Sequence, residues 1–194
     1  MNYFLNTYDV KMSINYDTLI QVHGSLMSIA FLILLPIGIL LALFGKSMGR
    51  KWFVMHWIFN GILAGSCIFV SFIIVIYAHV KYNLTTHFSF NFHSIFGLII
   101  VLLVYIQISA GIIVHFYDRT KILERLILIF HKIFGRLIFI FGIINIYYGL
   151  MFYKDIFDTS IIIPIITYSV LVFILSIIII TLYTIKIYKL LQSE

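Results

Sequence analysis

The sequence of 194 residues contains few charged residues, one cysteine and two prolines. Charged residues make up only 10% of it, compared with about 25% in a typical soluble domain. This shortage excludes a soluble globular protein and a disordered one, because both need a larger share of polar residues. The single cysteine, Cys67, excludes an intramolecular disulfide. Seven acidic and 13 basic residues give a net charge of +6, which on a soluble protein would suggest nucleic acid as a partner.

Hydrophobic residues dominate instead, with 63% of the sequence and a mean hydropathy of +1.13. They fall into five blocks of 20 or more residues. Each block is long enough to cross a hydrocarbon core of about 30 Å at about 1.5 Å per residue. We therefore predict an all-α polytopic membrane protein with five spans, numbered in chain order: residues 21–44, 52–78, 92–116, 127–152 and 160–185.

The predicted spans divide the chain into three parts. Residues 1–20 form a short N-terminal segment, residues 21–152 a core of four helices, and residues 153–194 the fifth span with a short tail. Most basic residues lie after the first span, after the third span and near the C-terminus: Lys46, Arg50, Lys51, Arg119, Lys121, Arg125, Lys186 and Lys189. The positive-inside rule places these segments in the cytoplasm and the N-terminus on the non-cytoplasmic side.

Seven histidines are present, and four of them lie near the start of the first four spans: His23, His56, His93 and His131. One histidine in such a position is ordinarily an interfacial or hydrogen-bonding residue. Four in register indicate a function, because ionisable side chains at membrane depth usually face the bundle interior. Since consecutive spans are antiparallel, His23 and His93 share one depth, and His56 and His131 share the other. The remaining three lie in loops or at the ends of spans: His79, His87 and His115.

Two histidine pairs at two depths in a four-helix bundle are what two haems with two histidine ligands each require. The iron takes one imidazole from each face of the porphyrin, and each ring needs a partner for its other N–H group. No CxxCH motif is present, so the sequence offers no site for covalent haem attachment. A zinc site is disfavoured, because it needs three or four ligands at one point. With one iron near each surface, the two irons would lie roughly 20 Å apart.

An internal repeat supports this interpretation. Residues 92–97 read FHSIFG and residues 130–135 read FHKIFG. The match continues at the same spacing with an amide and a glycine in each span: Gln107 and Gly111, then Asn145 and Gly149. At about 100° per residue these positions lie on the same helix face as the histidine. The distant glycine would leave room for the porphyrin held by the other pair, with close packing of helices as the alternative.

At these residues the sequence resembles the cytochrome b561 family, and more closely its branch in which the membrane domain follows a DOMON domain. The resemblance covers about residues 21–152 and is carried by His23, Gly24 and LLPIG (34–38), WFVMH (52–56), FHSIFGLIIVLLVYIQISAG (92–111) and HKIFGRLIFIFGIINIYYGL (131–150). Three features depart from the family. The chain has five spans instead of the six of stand-alone members, no DOMON sequence, and no recognisable form of the longer basic motif for cytoplasmic ascorbate.

The resemblance implies two non-covalent haem b groups, held by His23 with His93 and by His56 with His131. It also implies an oxidoreductase that transfers electrons across the membrane. The donor would be cytoplasmic and ascorbate-like, and the non-cytoplasmic acceptor a ferric chelate or monodehydroascorbate. The expected partners are the lipid bilayer, these small molecules and, in a homodimer, a second copy of the chain. A nucleic acid partner is not expected.

Several basic residues are candidates for binding these groups on the cytoplasmic side. Arg136, in the FGR sequence that the family shares, is predicted to face the cytoplasmic haem, with snorkelling to the interface as the alternative. Lys46, Arg50 and Lys51 are candidates for a cationic mouth that binds an anionic donor. Positive-inside orientation explains these three residues equally well.

On the non-cytoplasmic side the candidates for the acceptor site are Lys81, His87 and Asn91. His87 is predicted not to bind haem, because a residue six positions before His93 points to another helix face.

Two other functions remain open at this point. The first is a cytochrome b membrane anchor that passes electrons between a quinol and a partner protein. The second is a haem-free transporter or scaffold, which would leave the paired depths of the four histidines without an explanation.

Overall fold

The computed structural model describes residues 7–82, 91–116, 122–157 and 160–191. Within them the backbone forms helices and short turns, with seven α-helices: α1 (Thr7–Ile29), α2 (Leu35–Phe44), α3 (Lys51–His56), α4 (Gly65–Lys81), α5 (Phe92–Phe116), α6 (Ile122–Phe157) and α7 (Ile162–Leu191). Five helical stretches of the described residues are long and apolar enough to cross a membrane: Asn15–Met48, Lys51–Lys81, Phe92–Phe116, Arg125–Asp155 and Ile162–Ile185. The predicted all-α polytopic membrane fold is confirmed.

The first and second spans each contain a π-helical segment between two α-helices. Ala30–Leu34 joins α1 to α2, and Trp57–Ala64 joins α3 to α4. Pro36 lies just beyond the first segment; it has no N–H group, and its ring would clash with the carbonyl four residues earlier in a regular α-helix. In the wider π turn, the N–H of Leu35 bonds to the carbonyl of Ala30, five residues back. The chain therefore continues across the membrane through Pro36 without a break.

Several helices are longer than the apolar blocks that predict them. α1 begins at Thr7, well before residue 21. α6 covers Ile122–Phe157 instead of 127–152, and α7 continues past residue 185. Hydropathy marks only the lipid-exposed part of a helix, whereas backbone hydrogen bonds extend the helix into the polar region beyond it.

Local features determine where two of the connections begin and end. The short connection after the first span is a 3-10 turn, Gly45–Met48, followed by Gly49 at φ +62°, a conformation that favours glycine. The third span begins at Phe92, because the side-chain oxygen of Asn91 accepts a hydrogen bond of 2.8 Å from the backbone N–H of Ser94. Asn91 is therefore the N-cap of α5.

The first four spans pack into a bundle. The first span packs against the second, the third against the fourth, and the first also contacts the fourth. The fifth span is peripheral. The Tyr168 hydroxyl donates a hydrogen bond of 3.0 Å to the carbonyl of Ile143 in the fourth span, and the ring of Tyr183 lies 5.4 Å from that of Phe44 in the first.

An apolar core fills the middle of this bundle. Its buried residues come from all four spans: Ala30, Phe31, Leu35, Ala64, Ile68, Ile100, Val101, Val104, Ile138 and Phe139. The ring of Phe31 packs directly on the backbone of Gly142, so closely that a Cβ atom at residue 142 would overlap the ring. A glycine at this position lets the first and fourth spans approach each other.

The contact between Phe31 and Gly142 predicts a steric cost for any side chain at residue 142. We expect Gly142→Ala to lower the free energy of unfolding by about 1–3 kcal/mol, the usual cost of overpacking, although alanine is the better helix former. The measurement is thermal unfolding of the purified protein in detergent. In a Phe31→Ala background the ring is absent, so the same substitution should be neutral or stabilising. An equal loss in both backgrounds would contradict the contact.

Candidate functional site

The structure brings the four histidines of the first four spans together in two pairs. The ring centres of His23 and His93 are 6.3 Å apart, with an angle of 84° between the ring planes. The ring centres of His56 and His131 are also 6.3 Å apart, with an angle of 87°. The first pair joins the first and third spans, and the second pair joins the second and fourth. All four side chains are partly buried.

Each imidazole is hydrogen-bonded to a backbone carbonyl of a neighbouring span. The contacts join Nδ1 to a carbonyl oxygen: His23 to Ser71 at 3.1 Å, His56 to Gly38 at 2.8 Å, His93 to Asn145 at 3.0 Å and His131 to Gln107 at 3.2 Å. A carbonyl only accepts hydrogen bonds, so these contacts place the Nδ1 proton in His23, His56 and His93. The neutral imidazole then has its lone pair on Nε2, as a metal ligand requires. Nδ1 of His131 has a second, closer neighbour, the amide nitrogen of Gln107 at 2.9 Å.

The acceptor carbonyls lie at similar positions along the four spans. Counted from the histidine of the same span, the carbonyl follows after 14 residues in the third and fourth spans and after 15 in the first and second. The π-helical segments, Ala30–Leu34 and Trp57–Ala64, lie between the histidine and the carbonyl in these two spans. Because a π turn contains one residue more than an α turn, it accounts for the difference. All four spans therefore present a histidine and an acceptor in matching register.

Glycines make room for the imidazoles between α5 and α6. A Cβ atom built on Gly149 would lie 2.7 Å from Cε1 of His93, and one built on Gly111 would lie 3.0 Å from Cε1 of His131. Each histidine thus lies against the glycine near the far end of the other helix. These two glycines are the ones that the sequence repeat places 18 residues after each histidine.

The amides of the repeat make equivalent contacts. Nε2 of Gln107 would lie 2.8 Å from a Cβ atom on Gly135, and Nδ2 of Asn145 would lie 2.9 Å from one on Gly97. The side chain of Gln107 also donates a hydrogen bond to the backbone carbonyl of His131. The sequence repeat is therefore a structural repeat. The histidine and amide of α5 lie against glycines of α6, and the histidine and amide of α6 lie against the equivalent glycines of α5.

Each histidine pair lines a cavity, and the two cavities differ in charge and size. The cavity at His56 and His131, which we name the basic cavity, measures about 420 Å³ and is also lined by three cations: Lys46, Lys132 and Arg136. The cavity at His23 and His93, which we name the neutral cavity, measures about 750 Å³. Among the described residues that line it, none is Lys, Arg, Asp or Glu. Its polar lining includes Tyr16, Gln21, Ser94 and Tyr153.

The other basic candidates lie outside the two cavities. Arg50 and Lys51 are exposed at the start of the second span and are not among the described lining residues. Lys81 is exposed at the opposite end of the bundle, where its ammonium group lies 5.3 Å from the centres of two tyrosine rings. His87 lies outside the described residues.

Three cavity residues were not singled out from the sequence. Lys132 directly follows His131, about 100° away around the helix, but its long side chain reaches the basic cavity. His115 lines the same cavity and stacks on the ring of Phe53, with centres 4.3 Å apart. His79 is buried and lines the neutral cavity. Their positions at the ends of spans, where basic residues are common, gave no distinguishing signal.

A hydrogen-bonded cluster joins the first and fourth spans beside the neutral cavity. The hydroxyl of Tyr153 donates to Oδ1 of Asp17 at 2.5 Å. The amide nitrogen of Gln21 lies 3.0 Å from Oδ2 of Asp17 and 3.0 Å from the Tyr153 hydroxyl, and donates to both. Tyr153 is more than 130 residues from the other two, so sequence spacing carries no sign of this cluster.

A family model described as eukaryotic cytochrome b561 matches residues 22–158, more than two thirds of the chain. The chain belongs to the cytochrome b561 family. No curated protein and no solved structure gives a significant match. The family transfers electrons across membranes through haem b, and this cytochrome b561 is accordingly a transmembrane oxidoreductase of multi-pass topology. The matched residues include all four paired histidines, whereas the fifth span lies outside them.

The residues present in this cytochrome b561 fit the haem b that the family binds. Two imidazoles that bind one metal ion from opposite sides at about 2.0–2.1 Å have ring centres roughly 6 Å apart. Both pairs have a separation of 6.3 Å. The Nδ1 contacts leave Nε2 for the iron, and the cations of the basic cavity suit the propionates of a porphyrin.

The contact between Gly149 and His93 predicts that a larger side chain displaces the imidazole. We expect Gly149→Val to lower the haem content, because its methyl groups would occupy part of the space of the His93 ring. The measurement is the haem-to-protein ratio and the reduced absorption spectrum of the purified protein. Ser109→Val is the control, since Ser109 is exposed, bonds within its own helix and is not among the described residues that line either cavity. An unchanged spectrum in Gly149→Val would overturn the assignment.

Proposed function

We propose that this cytochrome b561 binds two haem b groups and transfers electrons from a cytoplasmic reductant to an acceptor on the other side of the membrane. The proposed iron ligands are the Nε2 atoms of His23 and His93 for one haem, and of His56 and His131 for the other. The observation that carries the proposal is that both pairs have the same ring separation, 6.3 Å, and the same Nδ1-to-carbonyl contacts. When bound, haem b supplies an iron that changes its oxidation state by one electron.

The protein's own contribution is to hold the imidazoles and to exclude water between the two sites. The carbonyl at Nδ1 sets the orientation of each ring and raises its basicity as a ligand. Between the pairs, the apolar core provides a closely packed medium made of side chains such as Phe31, Ile68 and Val104. Electron transfer through such a medium needs no moving part of the chain.

We assign the basic cavity to the electron donor, because an ascorbate-like reductant is an anion at neutral pH. Arg136, which lines this cavity, is the proposed partner of a haem propionate. Lys46, from the connection after the first span, is the proposed contact of the donor. Arg50 and Lys51 are exposed nearby and raise the local concentration of anions by long-range attraction.

We propose that the basic cavity faces the cytoplasm. The cations that line it belong to the end of the bundle at which the connections after the first and third spans concentrate basic residues. The N-terminus is then non-cytoplasmic and the C-terminus cytoplasmic. The neutral cavity faces the acceptor, a ferric chelate or monodehydroascorbate, and Lys81 is the exposed cation that attracts it. A homodimer stays a prediction.

The proposed function is tested by the haem content of the purified protein and by its reduction. We expect two haem b groups per chain in the dithionite-reduced spectrum, and reduction by ascorbate without any partner protein. A ratio near one would mean that only one histidine pair binds haem. If ascorbate left the protein oxidised, the quinol-linked alternative would be favoured. Colourless protein from a haem-supplied host would overturn the proposal.

Single histidine substitutions distinguish the two proposed haem sites. His56→Ala and His131→Ala should each remove the same haem, and the double variant should remove no more, because both residues bind one iron. The haem-to-protein ratio should therefore fall by half in all three variants. His87→Ala is the control and should keep both haems. Loss of a haem in His87→Ala, or two haems in the double variant, would show that the assigned pairs are wrong.

The role of Lys46 is tested by its neutral variant. Lys46 is exposed, so its contact with an anion contributes about 0.2–1 kcal/mol, and we expect Lys46→Gln to raise the KM for ascorbate by up to roughly fivefold. The measurement is the rate of haem reduction as a function of ascorbate concentration. Lys51→Gln is the matched control, because Lys51 is also exposed but is not among the described residues that line the cavity, so its effect should be smaller. Equal effects would show that Lys46 acts only by long-range attraction of the anionic donor and not by direct contact.

A further inference from the structure

The first and second spans differ at one position of their shared hydrogen-bond pattern. Gly38 and Ser71 each lie 15 residues after the histidine of their own span, and each provides a carbonyl to the histidine of the other span. Gly38 has no room for a side chain, because a Cβ atom there would overlap the amide of Asn60. Ser71 places a hydroxyl group at the equivalent point beside His23.

The Ser71 side chain is fully buried and makes both of its contacts with His23. Its Oγ donates to the backbone carbonyl of His23 at 3.0 Å and lies 2.9 Å from Nδ1 of the same residue. The exposed fraction of Ser71 is 0%. Ser109 and Ser176, by contrast, donate to a carbonyl four residues earlier in their own helix, at 2.9 and 2.8 Å. Ser71 instead reaches a residue 48 positions away in the chain.

The direction of each hydrogen bond follows from the available protons. The hydroxyl proton of Ser71 is donated to the carbonyl of His23, so a lone pair of Oγ faces the Nδ1–H group. This N–H therefore has two acceptors, the Ser71 carbonyl at 3.1 Å and Oγ at 2.9 Å. For the Nδ1–H group of His56 the acceptor is the carbonyl oxygen of Gly38, at 2.8 Å from Nδ1. A second acceptor makes the imidazole of His23 more basic and strengthens its donation through Nε2.

We infer that Ser71 is a positioning residue that holds His23 and lowers the midpoint potential of the haem bound by His23. The inference rests on the proposed ligand pairs. A more basic imidazole stabilises ferric iron relative to ferrous iron, so the hydroxyl shifts the potential of that haem downward. At the other haem, Gly38 occupies the corresponding position beside His56, and Nδ1 of His131 lies 2.9 Å from the amide nitrogen of Gln107, which is a donor and not an acceptor. The hydroxyl thus distinguishes two sites whose ring separations are the same.

The experiment is a redox titration of the purified two-haem protein, followed through its haem absorption. In Ser71→Ala we expect one midpoint potential to rise while the other stays at its wild-type value and the haem content is unchanged. Ser71→Gly reproduces the arrangement at Gly38 and should give the same shift, so the test survives if the alanine variant folds poorly. Ser109→Ala is the matched control and should move neither potential. The electron paramagnetic resonance signal of one low-spin ferric haem should also shift in the two Ser71 variants.

Each outcome decides one question. If both potentials stay at their wild-type values in the Ser71 variants, the inference is wrong while the proposed function stands. A downward shift, or equal shifts of both haems, would also overturn it. If the wild-type protein contains fewer than two haems, the proposed function fails first, and this is seen before any variant is measured.

Discussion

The hydrogen bond from Nδ1 of each paired histidine to a backbone carbonyl of a neighbouring span is the interaction on which the candidate site depends. At membrane depth there is no water to satisfy a ring N–H, and an unsatisfied one would cost several kcal/mol. A helical carbonyl has a second lone pair, so it accepts the imidazole N–H and keeps its place in the helix. No substitution of the acceptor residue removes this carbonyl. The orientation of each imidazole therefore depends first on how two helices are placed relative to each other, and at His23 the hydroxyl of Ser71 adds a second contact.

That dependence explains the irregular helices of the first and second spans. A histidine and an acceptor carbonyl must lie in matching register on every span, and a regular helix meets this condition at a separation of 14 residues, as α5 and α6 do. The first and second spans have a separation of 15, and a π-helical segment absorbs the additional residue in each. Each π-helical segment lies between the histidine and the acceptor carbonyl of its own span, so it restores the register with the third and fourth spans. In the first span the same segment also accommodates Pro36.

Hydropathy and the alternating direction of the spans are sufficient to predict the five spans and to put the four histidines at two depths. The FHSIFG and FHKIFG repeat also predicts that the histidine, amide and glycine of each span share one helix face, because His93 and Gly111 recur at the spacing of His131 and Gly149. The π-helical segments were not predictable, since nothing in the sequence reveals which carbonyl accepts from which histidine. Ser71 was missed for a related reason. A serine within a span ordinarily bonds to its own helix, as Ser109 does, and only the packing of α1 on α4 directs Ser71 to His23.

The apolar layer closed by Phe31 and Gly142 separates the two cavities with hydrocarbon side chains contributed by all four spans of the bundle. Such a layer admits an electron, which tunnels through packed atoms, whereas the described core side chains are hydrocarbon and hold no titratable group that could relay a proton. In the proposed function, each electron that crosses this layer carries one negative charge from one face of the membrane to the other. The transmembrane voltage, worth about 2.3 kcal/mol per elementary charge per 100 mV, then opposes or assists the reaction directly. The proposed electron transfer is therefore electrogenic, and its rate would respond to the voltage across the membrane.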